Sequence, residues 1–177
     1  MTSTNSSYIM TEEQKYLFDL NGYLVVPGVL SAETCRIWRE YLITLKNDPD
    51  SLPDHERYSA IDKDPETLHL VTGPTSERMD NPTLVGILNE ILIGGFIGAG
   101  YPDAYPWRME SCWATIKAAG EWGVPPHAPL GLGPLFDYQC RNQEIYSGML
   151  RVVWELNPVG ADDEGTTFAN GSHKANF

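Results

Sequence analysis

The apolar residues change period part-way along the chain, and this change limits the fold more than any other feature. Before residue 100 they recur at helical spacing, and after residue 105 they alternate. Trp38, Tyr41, Leu42 and Leu45 fall at i, i+3, i+4 and i+7, one stripe of a helix. Leu84, Ile87, Leu88 and Ile91 predict the buried face of another. From Arg108 to Lys117, Met109, Ser111, Trp113 and Thr115 share one face, and Cys112, Ala114 and Ile116 share the other. From Ile145 to Leu156, Tyr146, Leu150, Val152, Trp154 and Leu156 face one way. Ser147, Arg151 and Glu155 face the other, as in a half-buried strand. Helices first and strands later, with no βαβ alternation, predict an α+β fold with a mainly antiparallel sheet.

Local signals place the boundaries. Thr11-Glu12-Glu13-Gln14 is a capping box, and Asn21-Gly22 is a left-handed stop, so a helix runs from Thr11 to about Leu20. Tyr23 to Val26 is a short β-prone run closed by Pro27-Gly28. Ser31 caps a second helix, with Glu33 in its first turn. Asp80 or Asn81, followed by Pro82, starts a third helix, which Gly94-Gly95 stops. Between the second and third, residues from Asn47 to Asp80 are rich in Pro, Asp and Ser and have no period, the composition of a loop over a cleft. Residues 118–137 are also loop-like, and Thr166 to Ala169 is a short strand leading into the Asn170-Gly171-Ser172 turn. The organisation is a loose tail at 1–10 and a single domain at 11–177, helical over 11–100 and β over 105–177. A chain of 177 residues can bury about two-thirds of its unfolded surface, enough for one core.

Charge narrows the partners. The formal charge is −12 and the Lys and Arg residues are scattered. Nucleic acid and anionic membrane surfaces both recruit clustered cations, so neither is expected. An anionic co-substrate needs a local cationic pocket. Cys35, Cys112 and Cys140 are odd in number and lack paired spacing, which predicts buried free thiols, not a disulfide framework or a zinc site. Met1 to Met10 lacks the ordered regions of a signal peptide. The apolar run Leu84 to Ala99 is broken by Asn89 and Glu90 and falls short of a span of about 20 residues. A cytoplasmic location follows, in which the N-x-S sequences at Asn5 and Asn170 are silent.

The chain has no phosphate-binding glycine loop, no G-x-S-x-G, no C-x-x-C and no H-E-x-x-H. His55 and His69 lie in polar, loop-like surroundings. His127 follows Trp122-Gly123-Val124-Pro125-Pro126, where a rigid loop can fix an imidazole for iron, copper or zinc. The alternative is a histidine bonded to backbone in a proline-rich turn. His173 sits in Gly171-Ser172-His173-Lys174. Spacing allows a ligand pair with His127; the preferred reading is a turn residue whose ring satisfies nearby backbone. Asp162-Asp163-Glu164-Gly165 lacks the alternate-position spacing of a calcium loop and reads as a solvated turn.

Four segments then carry a resemblance. Phe18-Asp19-Leu20-Asn21-Gly22-Tyr23-Leu24-Val25-Val26-Pro27-Gly28-Val29-Leu30-Ser31 resembles the opening of the phytanoyl-CoA dioxygenase family. The strand 108–117 followed by His127 is similar to the family's strand leading into its first iron ligand. Val152-Val153-Trp154-Glu155-Leu156-Asn157-Pro158-Val159 resembles its tryptophan-bearing strand. Glu164-Gly165 to Gly171-Ser172-His173-Lys174 resembles its G-S-H-K turn. All four stand in family order over residues 16–177.

The resemblance implies N-terminal helices packed on an incomplete double-stranded β-helix, a jelly roll. It implies iron(II) held by two histidines and a carboxylate, with 2-oxoglutarate on the same metal, and hydroxylation of a small-molecule substrate. Carried over by position, His127 matches the first iron ligand. Trp154 matches a residue facing the 2-oxoglutarate pocket, with core packing as the equal alternative, and Lys117 lies near the pocket entry. His173 matches the turn, which is not a ligand. Two departures stand out. The family usually reads H-x-D, and this sequence reads His127-Ala128-Pro129, without the carboxylate. Some branches carry H-G-G there, some halogenating relatives let chloride fill the place, and Asp137 is another source of an oxygen. The family's later iron-binding His and 2-oxoglutarate-anchoring Arg also have no counterpart in these 177 residues.

The implied function is therefore a partial iron(II)/2-oxoglutarate-dependent dioxygenase, inactive as this isolated chain. The alternative is a non-catalytic jelly-roll binding module that has lost its metal, and a third is an unrelated α+β enzyme using Asp, His and Lys as acid–base groups. An unclosed barrel leaves an open sheet edge that invites self-association.

Overall fold

The computed structural model describes residues 8–57, 67–69, 73–92, 107, 109, 112–116, 120, 125, 127, 137–142, 144–161, 163 and 165–175. The expected helix stop at Gly94-Gly95, the pocket residue Lys117, and Ala128 and Pro129 beside His127 lie outside these.

Three helices form where their caps predict. Helix α1, Glu12–Asn21, opens with both halves of the capping box. Thr11 Oγ1 accepts from the Gln14 amide at 3.1 Å, and the Thr11 amide donates to Gln14 Oε1 at 3.0 Å. It closes at Gly22, whose φ of 83° places it in the left-handed region. Helix α2, Ala32–Asn47, is capped by Ser31 Oγ, which accepts from the Thr34 amide at 3.0 Å. Its predicted stripe of Trp38, Tyr41, Leu42 and Leu45 is buried throughout. Helix α3, Pro82–Leu92, is capped by Asn81, whose Oδ1 takes the Thr83 and Leu84 amides. Its buried residues are Val85, Gly86, Leu88 and Ile91, while Leu84 and Ile87 are only half-buried. The inward face is turned from the predicted one because α3 packs on two sides, against the 3-10 turn Pro74–Asp80 and against the last strand.

Four short strands make two antiparallel ladders. Strand β1, Thr67–His69, pairs with β2, Trp113–Thr115, so that Thr67 faces Thr115. Strand β3, Tyr138–Arg141, forms a hairpin with β4, Glu144–Ser147, so that Tyr138 faces Ser147. Asn142 turns this hairpin at φ 52°, a conformation asparagine tolerates. The class is α+β, with only antiparallel pairing among the described residues.

The regular β structure is shorter than the alternation predicts. Residues 148–156, 166–169 and 23–26 carry no strand. Alternation decides which side chains turn inward, but a strand also needs a neighbouring backbone to take its amides and carbonyls. The face prediction holds for β2: Cys112, Ala114 and Ile116 pack on Tyr41, Leu42 and Leu45 together with Leu52 and Leu156. It fails at Ser147, which is buried, its hydroxyl donating to Met149 O at 2.8 Å.

A second core joins Met10, Phe18 and Ile91, flanked by Tyr8, Leu24, Ile87, Tyr138, Ile145 and Leu150. Tyr8 and Met10, assigned above to a loose tail, thus belong to this core, and Met10 is 2% exposed. Among the described residues, no helix is long and apolar enough to cross a membrane.

Candidate functional site

The turn at 170–174 is built onto the end of α1. The Gly171 amide donates to Asn21 O at 2.9 Å, and Tyr23 Oη donates to Asn170 Oδ1 at 3.1 Å. The Tyr23 ring stacks on Phe168 with centroids 4.8 Å apart. His173, in the 3-10 turn Ser172–Lys174, places Nε2 3.0 Å from Asp19 O. A carbonyl oxygen only accepts, so Nε2 carries the proton and Nδ1 is a bare lone pair. Nδ1 is buried with no hydrogen-bond partner. It lies over Gly22, where a Cβ would come within 2.3 Å of it. Gly22 is therefore needed twice, for the left-handed backbone and for the space above it.

The electrostatics of this seam favour a neutral imidazole. Burial lowers the His173 pKa, since the protonated ring would lose hydration; the hydrogen bond to Asp19 O opposes that shift. The Asp19 carboxylate accepts from Tyr138 Oη and pairs with Lys174 Nζ at 2.9 Å, and both contacts hold its pKa below the ordinary carboxylate value. Burial, then the Asp19 contact, pushes the Tyr138 phenol well up. Tyr138 also meets the His173 ring edge-on at 4.6 Å. Asp19, Tyr138, Cys140, His173 and Lys174 line an open depression of about 440 Å³. Its histidine is tied to backbone and not available as a ligand, which is the turn role.

Cys140 departs from expectation: it is exposed on β3, while Cys35 and Cys112 are half-buried, and all three thiols are free. A four-residue edge hairpin has too little sheet around it to cover both faces.

His127 has the opposite environment. It is exposed, and its Nδ1 lies 3.0 Å from Pro125 O. Nδ1 therefore donates to that carbonyl and Nε2 keeps its lone pair, the tautomer seen when a backbone acceptor prepares an imidazole to bind a metal. What stands before Nε2 is Arg151 Nη1, at 3.5 Å. The Arg151 guanidinium in turn lies 5.0 Å from the centroid of Trp113. Sequence reasoning placed Arg151 only on the polar face of an alternating run, and no motif marks it.

Among the described residues, no group of three His, Cys, Asp or Glu side chains could hold a metal ion. Asp137 is exposed and joins no such group. One imidazole fits an iron ligand and a guanidinium faces it, so the described donor set does not fit an iron centre by itself.

The remaining candidates have structural contacts. Trp154 is half-buried and meets Trp38 edge-on, with centroids 5.9 Å apart and planes at 82°. That contact is the core-packing alternative. His55 is exposed, 3.8 Å from Glu56. Asp163 Oδ2 accepts from the Gly160 amide at 2.7 Å and closes a surface turn; Asp162 and Glu164 lie outside the described residues. Compared with protein-family models, curated proteins and solved structures, the chain matches none.

Proposed function

We propose that this chain is the front part of an iron(II)- and 2-oxoglutarate-dependent dioxygenase domain like those of the phytanoyl-CoA dioxygenase family. The reaction class of the whole domain is hydroxylation of a small-molecule substrate in the cytoplasm, on a jelly roll to which these residues contribute one side. The observation that carries this reading is the pinned tautomer of His127, with Nδ1 given to Pro125 O and Nε2 left as a lone pair. Among the described residues a single imidazole is placed as a ligand, too few to hold the metal, so this chain alone is expected to be inactive. Trp154 and Lys117 are assigned to the 2-oxoglutarate side of the domain by resemblance only.

A second reading is favoured by Arg151, which stands where a metal would approach Nε2. A cation there opposes another cation. On this reading the domain is a non-catalytic binding module, with free strand edges available for self-association.

Reading the gene past the codon for Phe177, then titrating anaerobically with iron(II) and 2-oxoglutarate, tests both. The oxygenase reading expects a His and then an Arg in β-patterned sequence. It also expects a weak visible charge-transfer band from the longer form that His127→Ala removes. A longer form that binds neither iron nor 2-oxoglutarate, or a stop codon directly after Phe177, sinks it and leaves the binding module.

A further inference from the structure

We infer that Arg151, held between the Trp113 ring and the His127 imidazole, binds the carboxylate of a small ligand and needs no metal to do so. The inference does not rest on the oxygenase reading, and concerns the metal-free state in which His127 Nε2 meets Arg151.

The first observation is charge. The chain carries −12; of its nine described Lys and Arg side chains four pair with carboxylates, and Arg39, Lys46 and Arg78 donate to backbone carbonyls. Lys15 pairs with Glu12 and Glu90, Arg36 with Glu33 and Glu40, Arg57 with Asp50 and Asp54, and Lys174 with Asp19. Arg151 is exposed, and among the described residues it faces no carboxylate.

The second observation is preorganisation. An arginine on a protein surface normally samples many rotamers, and ordering one on binding costs about 0.5–1.5 kcal/mol. Arg151 is already restrained on two sides. The Trp113 ring, 41% exposed, lies under the guanidinium at 5.0 Å, and His127 Nε2 accepts at one corner at 3.5 Å. His127 is restrained in turn by Pro125 O. Two separate segments thus aim one cation.

The third is donor geometry. A guanidinium has five N–H donors, and His127 takes one. Those remaining include a parallel pair that matches the two oxygens of a carboxylate. The surrounding negative charge disfavours large polyanions, so the fit is to a compact anion. Arg151 is the ligand-contacting residue, and Trp113 and His127 are positioning residues.

The test uses the whole chain in a neutral bipyridine chelator, with propionate as probe and chloride at matched ionic strength as control; binding is read in every variant by titration calorimetry and located in the wild type by nitrogen-detected NMR of the arginine Nε–H groups. Saturable binding with a shift at Arg151, both absent in chloride, is expected. Arg151→Gln should abolish the binding. Arg151→Lys should weaken it about tenfold by keeping charge but losing the fork. Trp113→Leu should weaken it about threefold by freeing the side chain. Arg141→Gln, at another exposed arginine, should leave it unchanged. A linear drift equalled by chloride would overturn the inference, because screening alone would explain it. Saturation by inorganic phosphate but not propionate would overturn the carboxylate assignment. Equal binding by Arg151→Lys would remove the bidentate argument. The chelator keeps failure here separate from failure of the iron reading.

Discussion

His173 and His127 both give one ring nitrogen to a backbone carbonyl, yet the two regions around them behave as opposites. At His173 the carbonyl belongs to Asp19, 154 positions away, and the ring is packed between Gly22 and Tyr138. At His127 the carbonyl belongs to Pro125, two positions away, and the rest of the ring is exposed. A long-range partner makes the first histidine a fastener. A local partner leaves the second turned outward, where its Nε2 meets Arg151. Burial follows the same division: desolvation lowers the His173 pKa, and its free nitrogen has nothing to bond to.

The sharpest way to break this contrast is Gly22→Ala. The new Cβ would meet His173 Nδ1 at 2.3 Å on a backbone at φ +83°, so a loss of about 2–4 kcal/mol is expected in denaturant unfolding. A shift under about 0.5 kcal/mol would mean that the turn does not dock on α1. Trp154→Ala should cost about 2 kcal/mol by opening the contact with Trp38, less than for a fully buried tryptophan because Trp154 is half-buried. Unchanged stability would return Trp154 to a pocket-facing role.

A smaller effect concerns pH. The His173 pKa is lower folded than unfolded, so the fold favours the neutral ring. Its contribution is complete above about 6.5 and drains away as pH falls from there towards the folded value, because the unfolded chain then binds more protons. Unfolding curves taken between pH 7 and pH 5 should show this slope in the wild type and lose it in His173→Gln. Asp19 acts at lower pH: its contribution is present above the ordinary carboxylate value of 3.8 and fades as pH falls through its lowered folded value. The smallest effect belongs to His127→Ala, which should change stability by no more than about 0.5 kcal/mol. A larger loss would make His127 structural too, and the contrast would collapse.

Sequence reading went furthest where a signal is local. Thr11 and Gln14, Ser31 with Thr34, and Asn81 each close a bond within three positions, so their helix starts were legible. The α2 stripe was legible because one helix face meets one core. The α3 face was legible in part: Leu88 and Ile91 are buried and Ile87 flanks the second core, while Val85 and Gly86 also turn inward because two neighbours receive that helix. Ser147 was misassigned because alternation ignores a hydroxyl that finds an acceptor two positions on. Met10 was left in a tail because nothing nearby in sequence announces that Glu90 will take its amide.

The amino-acid sequence by itself determined the helix caps, the α+β order of elements, the −12 charge and the presence of an imidazole fixed in a proline-bearing loop. Only the tertiary structure decided that Gly22 lies under His173, that Arg151 stands before His127, and that Trp154 packs on Trp38. The physical reason is range. Capping and periodicity act through bonds a few residues long and repeat in any context. Burial, cation–π contact and the tautomer of His173 depend on partners brought together from tens to more than a hundred positions apart.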